Sequence, residues 1–596
     1  MANDIRLAPS LPQPMSAAAE SVLRPRVWPA VALVGLFWTS YLIPRVIPIG
    51  TFPGFLMRVA ACLLLTLLFS AWWLLNRRVR PAHRFQVFGV AVGGGVVAGL
   101  LSRNSLGPVA WLMLSVPIVF TVWAAWLLVA RRMSARVRWV GSLATLAIVW
   151  GAFLPIRMDG LGGDGQFEIR WRWAPTAEGR FLATKRDQAE ASGLTLVLQP
   201  GDWPGFRGPD RDGVVRGTEV ATDWEATPPR LVWKQLVGPA WSSLAVVGDR
   251  LFTQEQRDQS EAVVCLDAAT GREIWAHLDP VRFFEGIAGA GPRATPTFAD
   301  GRLYTLGATG ILNCLDAATG ERKWSRDVAA ESGATLPKWG FASSPLVVQG
   351  VVVVFAGGEG PKGLLAYRAD SGEPAWTAPA GTHSYGSPQL AFFNGEAQIL
   401  FLSEHGLTAV APASGSVLWE HDLSAGGPGL PRSLQPHPVG KSRVLIASEA
   451  DLGTALLDVR HDGGAWVPSR RWASKEMKPS FNDFVVHDGF IYGFDGGTFC
   501  CVDLETGRRR WKQGRYGHGQ VVLLADQGLL LVASESGEAV LLAASPARHE
   551  ELGQIQAIEG KTWNHPAVAH GRLYVRNAAE MACYELPVLP KGEPRP

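Results

Sequence analysis

The sequence predicts two classes of structure in one chain. An N-terminal α-helical transmembrane bundle comes first, then an all-β region, an eight-bladed β-propeller of four-stranded antiparallel blades. Two observations carry this. Apolar runs close to the ~20 residues that span a bilayer fill residues 27–156, and from Arg230 onward an Asp-x3-Gly-x3-Trp element returns at the spacing of a repeat protein.

Composition agrees with a membrane part joined to a water-facing part. Only 18% of the 596 residues are charged, against about 25% in an ordinary soluble protein. The balance of 56 Lys+Arg against 53 Asp+Glu gives a net charge of +3, which offers nucleic acid no electrostatic hold. Six cysteines in so long a chain exclude a disulfide-stapled scaffold.

Five apolar runs, Val27–Ile49, Gly54–Asn76, Phe85–Leu101, Leu106–Ala130 and Trp139–Ile156, predict five helices. The third and fifth are short, and Gly93, Gly94 and Gly95 weaken the third, so four is the alternative count. Arg6, Arg24 and Arg26 precede the first run, Arg77, Arg78, Arg80 and Arg84 follow the second, and Arg131, Arg132, Arg136 and Arg138 follow the fourth. The other connections hold little beyond Arg45 and Arg103. Arginine-rich short loops stay cytoplasmic, so the N-terminus is expected in the cytoplasm and the C-terminal half outside it. The first run lacks a small-residue cleavage site and reads as an uncleaved anchor. Ionisable groups are nearly absent inside the runs, which argues against transport.

The expected domains follow. Residues 1–26 are a disordered cytoplasmic tail, 27–156 the transmembrane domain, 157–200 a juxtamembrane linker, 201–590 the propeller and 591–596 a tail. Within the linker, Phe167–Trp173 alternates with period two, the mark of a half-buried strand. Pro175–Ala191 is expected to form a short helix.

The repeat decides the larger fold. Asp267…Gly271…Trp275, Asp316…Gly320…Trp324 and Asp503…Gly507…Trp511 are full copies, while Gly372 with Trp376 and Gly415 with Trp419 are weaker ones. The gap before Gly507 is double, so a degenerate copy belongs near Asp458, with Trp466 or Trp472. In the second unit the strands are expected at Ala294–Ala299, Arg302–Leu306, Gly310–Leu315 and Glu321–Arg326, with Asp300-Gly301 as a hairpin turn. Repeated four-stranded antiparallel units make a propeller. Eight blades fit the length from Arg230 to Leu586, seven being the alternative. The last unit ends at a third strand, Met581–Leu586, so Arg230–Lys234 should return as its fourth strand. Trp233, Trp275, Trp324, Trp376, Trp419 and Trp511 are expected to pack between blades.

These residues resemble the repeat of PQQ-repeat (quinoprotein-like) eight-bladed propellers, and the segment Asp202–Pro209 is similar to one in bacterial members of that superfamily. The resemblance covers residues 200–586 and is specific for fold. The superfamily includes PQQ dehydrogenases and a cofactor-free propeller lipoprotein of outer-membrane assembly, so it implies either of two functions. Taken with the arginine-rich loops, the resemblance implies a bacterial inner membrane with the propeller expected in the periplasm.

Cys265, Cys314, Cys501 and Cys583 fall at equivalent third-strand positions and read as small core residues. The resemblance suggests an adjacent-cysteine disulfide at Cys500-Cys501, but neighbouring strand side chains point to opposite faces. No CxxC, HExxH, phosphate-loop or dinucleotide motif is present, and no metal site is predicted.

Fourth-to-first loops and second-to-third turns share one face of such a ring. That face collects Glu255, Arg257, Arg293, Lys338, Trp339, His383, Tyr385, Asn482, Asp483, His518, Gln520, Lys561, Trp563 and Asn564. First strands line the channel, so these groups should converge at its mouth, where cations and rings suit a small anionic, partly planar ligand. Asp483 is the candidate for general-base work or cation coordination. The favoured reading is a membrane-anchored binding or scaffold module of the cell envelope, with the lipid bilayer and an envelope protein or small anion as partners. The alternative is a PQQ-dependent dehydrogenase, with calcium, passing electrons to membrane quinone. Blades of about 46 residues leave little for the insertions that would wall a cofactor cavity.

Overall fold

The computed structural model describes residues 26–46, 51–104, 107–163, 165–184, 196–423, 432–449 and 452–588. Both expected tails, apart from Arg26, and the end of the expected linker helix lie outside these. The chain divides into two compact units, a helical one ending at Arg157 and a β unit starting at Met158.

The helical unit holds α1 (Trp28–Val46), α2 (Thr51–Leu74), α3 (Pro81–Leu101), α4 (Gly107–Val129) and α5 (Ala135–Phe153). Three spans, Gly54–Leu74, Pro81–Leu101 and Gly107–Arg132, are long and apolar enough to cross a membrane, and α1 contains a shorter apolar stretch, Trp28–Ile43. The 19-residue α5 opens on Arg136 and Arg138, which shortens its apolar length. The glycines that weaken the third run do not break it. Proline at its first turn lets α3 start at Pro81, and Gly94 and Gly95 lie against the Trp150 indole of α5, where a Cβ would collide. Small residues allow such close approach between packed helices.

The β unit is a ring of eight blades built on four antiparallel strands; the first six run in simple sequence order, the seventh gains a short parallel inner strand, Val214–Val215, and the eighth takes its fourth strand from ahead of the ring. Blade two, Thr297–Ala299, Arg302–Leu306, Ile311–Asp316 and Arg322–Asp327, matches its expected strands closely. The eighth blade closes as expected: Arg230–Leu236 pairs with Glu580–Glu585, with Trp233 opposite Cys583.

A local rule recurs between third and fourth strands. The fourth-strand tryptophan faces a residue after which the register slips: Cys265 for Trp275, Cys314 for Trp324, Ala366 for Trp376, Ala409 for Trp419 and Cys501 for Trp511. Trp472 fills this position in the degenerate unit, opposite Leu456. The indole then lies on the turn of the following blade. Trp233, Trp275, Trp324, Trp376 and Trp511 donate Nε1–H to the carbonyls of Ala268, Ala317, Ala369, Pro412 and Ser545 at 2.8–3.2 Å. Trp419 departs from the pattern and donates to Gln398 Oε1 of its own blade at 2.7 Å. Blade five joins its long third and fourth strands, Gly453–Asp462 and Ala465–Ser474, by a Gly463-Gly464 hairpin, so no Asp-x3-Gly turn is there to receive it. All six cysteines are buried and unbridged. Burial pushes the Cys314 and Cys583 thiols up to about 11.

Candidate functional site

The channel is occupied by the chain itself. Trp203 exchanges backbone hydrogen bonds with Val246 of blade one's first strand (2.8 and 2.7 Å), and Pro204 accepts from Phe298 of blade two (2.8 Å). Arg211 donates to the Pro345 carbonyl before blade three's first strand (3.0 Å), while the Asp210 carbonyl accepts from Gln389 of blade four (3.1 Å). The Arg211 carbonyl accepts from Gln435 at blade five, and Gly213 from Leu523 N–H of blade seven at 2.9 Å. Asp202 lies 2.7 Å from His570 of blade eight. A short segment that touches the inner strands of opposite blades must lie along the axis.

Arg207 is its deepest anchor. The side chain is 1% exposed, reaches Asp483 Oδ1 of blade six at 3.2 Å, and donates to the Phe484 and Asp212 carbonyls at 2.6 and 3.0 Å. The other Asp483 oxygen lies 2.9 Å from His565 Nε2, and its backbone N–H donates to Gln520. Burial alone would raise the Asp483 carboxyl, but the Arg207 charge and His565 hold it below the usual carboxylate range. Asp483 thus faces three groups of its own chain. Asn482 is fully buried and bonds to backbone at Ser480 and Gly496. Sequence reasoning missed Arg207 and Arg211; the available signal was two arginines in a Gly/Pro-rich segment ahead of the ring.

The other expected mouth residues form three clusters rather than one circle. In the first, Trp563 packs against Trp241 (4.8 Å between centroids) and Phe481 (4.9 Å), Phe481 stacks on His518 (5.3 Å), and Lys561 Nζ sits 4.6 Å above the Trp563 ring. Glu535 receives Trp563 Nε1–H at 2.9 Å and His518 N–H at 2.9 Å. Burial works to raise this carboxyl, but the hydrogen bonds from His518 and Trp563 outweigh it and hold it at about 2. Asn564 donates to the Ser242 carbonyl at 2.7 Å. The linker strands Ile156–Leu161 and Phe167–Trp171, neighbours in one sheet, roof this cluster. Gly163 N–H donates to Glu535 (2.6 Å), and Lys561 bonds to the Leu161 carbonyl (3.2 Å) and Glu168 (3.1 Å).

The second cluster is ionic. Glu255 is 2% exposed, accepts from Gly238 N–H, and pairs with Arg257 at 2.8 Å; Arg257 continues to Glu273. These acids border a lateral cleft of about 250 Å3 between the closing strand and blade one, covered by Phe181 of α6 (Ala177–Leu182). Arg293 packs on the Phe283 ring (4.7 Å) and binds the Gly289 carbonyl, and burial lowers it to about 10. The third cluster, of Trp339, Tyr385 and His383 with Lys338 above Trp339, is the most open.

The channel histidines make stability depend on acid. Burial, then the Arg207 charge, lowers His437 to about 3, against ~6.5 unfolded. Such a group contributes stability that is complete above ~6.5 and is lost as pH falls toward its folded value. His565, lowered mainly by burial, acts in the same direction. The thermal midpoint is therefore expected to drop from pH 6.5 to pH 4, and His437→Phe to flatten that drop.

The residues do not fit the PQQ and calcium that the resemblance implies. The carboxylate suited to a cation is held by Arg207 and His565, and Cys500 and Cys501 lie buried within one strand. Among the described residues no three His, Cys, Asp or Glu converge as ligands.

Comparison with known proteins places the ring. Residues 259–513 match the family model described as outer membrane protein assembly factor BamB. The Yersinia pestis protein of that name is 24% identical over 334 residues, 52% of this chain and 77% of that one. A Pseudomonas putida quinohemoprotein alcohol dehydrogenase, ADH-IIG, is 31% identical over 167 residues, 26% of this chain; the match spans only 22% of the dehydrogenase. The crystal structure of BamB from Moraxella catarrhalis aligns at a TM-score of 0.44 and 14% identity, covering 60% of this chain and all of that one. The chain carries a PQQ-repeat eight-bladed propeller, similar in its repeats both to an outer-membrane assembly factor and to quinohemoprotein dehydrogenases.

Proposed function

We propose that the protein is a binding or scaffold propeller of the bacterial envelope. Its helices anchor it in the inner membrane with the N-terminus in the cytoplasm, and the ring stands in the periplasm, offering its mouth loops to a protein partner or a small anion. Five crossings put the two ends on opposite sides, four would not, and the alternation of arginine-rich loops favours five in this orientation. One observation carries the scaffold reading: residues 202–213 bridge the inner strands across the channel, and Asp483, Glu255, Arg257 and Lys561 at the mouth are committed to partners in the same chain. What remains for recognition is a rim, with Lys338, Trp339 and His383 its open part.

The second reading, a PQQ-dependent dehydrogenase delivering electrons to membrane quinone, draws on the 31% identity to ADH-IIG. Titration of the purified full chain with PQQ and calcium separates the two. No stoichiometric binding, and no alcohol-dependent reduction of an artificial acceptor, is the expected result. Stoichiometric binding with turnover would overturn the scaffold reading.

A further inference from the structure

The juxtamembrane strand sorts its side chains by parity. Glu168 pairs with Lys561 at 3.1 Å, and Arg170 lies 3.8 Å from Asp159 of the neighbouring strand. On the opposite side Ile169 and Trp171 are 47% and 55% exposed, and Trp173, in the turn that follows the strand's end at Trp171, is 72% exposed. The two indoles stack, 5.2 Å between centroids and 4° between planes. Alternation of Ile169 and Trp171 along the strand, with Trp173 added by the stack, gathers one apolar ridge, and leaving it in water is unfavourable.

What surrounds the ridge identifies its occupant. The Arg170 side chain is 60% exposed and Arg172 is exposed beside it. Indole rings flanked by arginine suit the headgroup level of a bilayer, where the ring is half apolar and half wet and the guanidinium meets lipid phosphate. The chain supplies continuity: α5 ends at Phe153, and the paired strand begins at Ile156. We propose that the Ile169–Trp171–Trp173 ridge seats in the headgroup region of an anionic bilayer, a second membrane contact beyond the helices. This rests on the anchoring reading above.

The native cysteines are all buried, so Trp173→Cys in the full chain can be labelled selectively with a polarity-sensitive fluorophore. Glu321→Cys, on a third-to-fourth turn with its side chain 70% exposed, serves as control. In proteoliposomes of phosphatidylcholine with phosphatidylglycerol, lipids carrying a quencher near the headgroup should quench the first label several-fold more than the second. Arg170→Gln with Arg172→Gln should remove the part of this quenching that phosphatidylglycerol adds. Equal quenching at the two positions overturns the proposal, as does quenching only between labels on neighbouring copies, which would make the occupant a second chain. Release of the unlabelled protein from membranes by alkaline carbonate would instead overturn the anchoring reading.

Discussion

Arg207→Ala is expected to destabilise the ring by about 3–5 kcal/mol, the usual result of removing one partner from a buried ion pair. The substitution leaves Asp483, 2% exposed, with His565 as its carboxylate's one remaining hydrogen-bond partner among the described residues. It also strips the Phe484 and Asp212 carbonyls of their donor. Asp483→Ala should cost a similar amount by stranding the guanidinium. Arg207→Lys should fall between, because an ammonium cannot serve the carboxylate and both carbonyls from one planar fork. Thermal melts of the detergent-solubilised chain give the order, and limited proteolysis gives its cause. Cleavage within residues 202–213 should accelerate in Arg207→Ala before the blades are cut. If the blades are cut first, Arg207 supports the ring and not the channel segment. Acid adds a second test. The Asp483 carboxyl is held low in the folded protein, so its contribution is present above ~3.9 and is lost as pH falls below that. The wild type and Arg207→Ala should therefore converge in strongly acidic buffer.

That ion pair marks where sequence reading stops. Blade number, strand positions and the closing strand were legible because each rests on a pattern within one repeat, such as Asp300-Gly301 between two apolar runs. Arg207 and Asp483 are 276 residues apart, and no periodicity links them. The mouth was legible as a face but not as a site. Topology sent Lys561, Trp563 and His518 to one end, yet the groups that occupy them, Glu168 and Glu535, come from a linker strand and a second-to-third turn, and Gly163 of the loop between the linker strands holds Glu535 in turn. Blade seven shows the same limit inside the repeat. Its fourth strand, Glu551–Gln556, has Gly553 where the others have tryptophan, and Trp224, from ahead of the ring, packs there; a Cβ on Gly553 would come within 2.5 Å of the Trp224 Cβ. A missing indole was supplied from outside the period that defines it.

Trp275→Ala should cost about 3–5 kcal/mol, as removal of a buried indole does, because Trp275 is 9% exposed, faces Cys265 and caps the turn of blade two. The glycine beneath it makes the claim sharper. Gly320 has φ +74°, and a Cβ there would lie 2.5 Å from Trp275 Cε3. Gly320→Ala therefore suffers twice, from left-handed backbone strain of roughly 1–2 kcal/mol and from collision with the ring. Once the indole is gone only the strain remains. The double variant should thus be more stable than the sum of the single costs predicts, with a coupling of about 1–3 kcal/mol. Gly301→Ala, also at positive φ but with nothing within 4 Å of its Cβ, should show the strain alone and no coupling to Trp275. Equal coupling at Gly301 and Gly320 would mean that backbone conformation, and not the seating of one blade's tryptophan on the next blade's glycine, explains the Asp-x3-Gly-x3-Trp repeat.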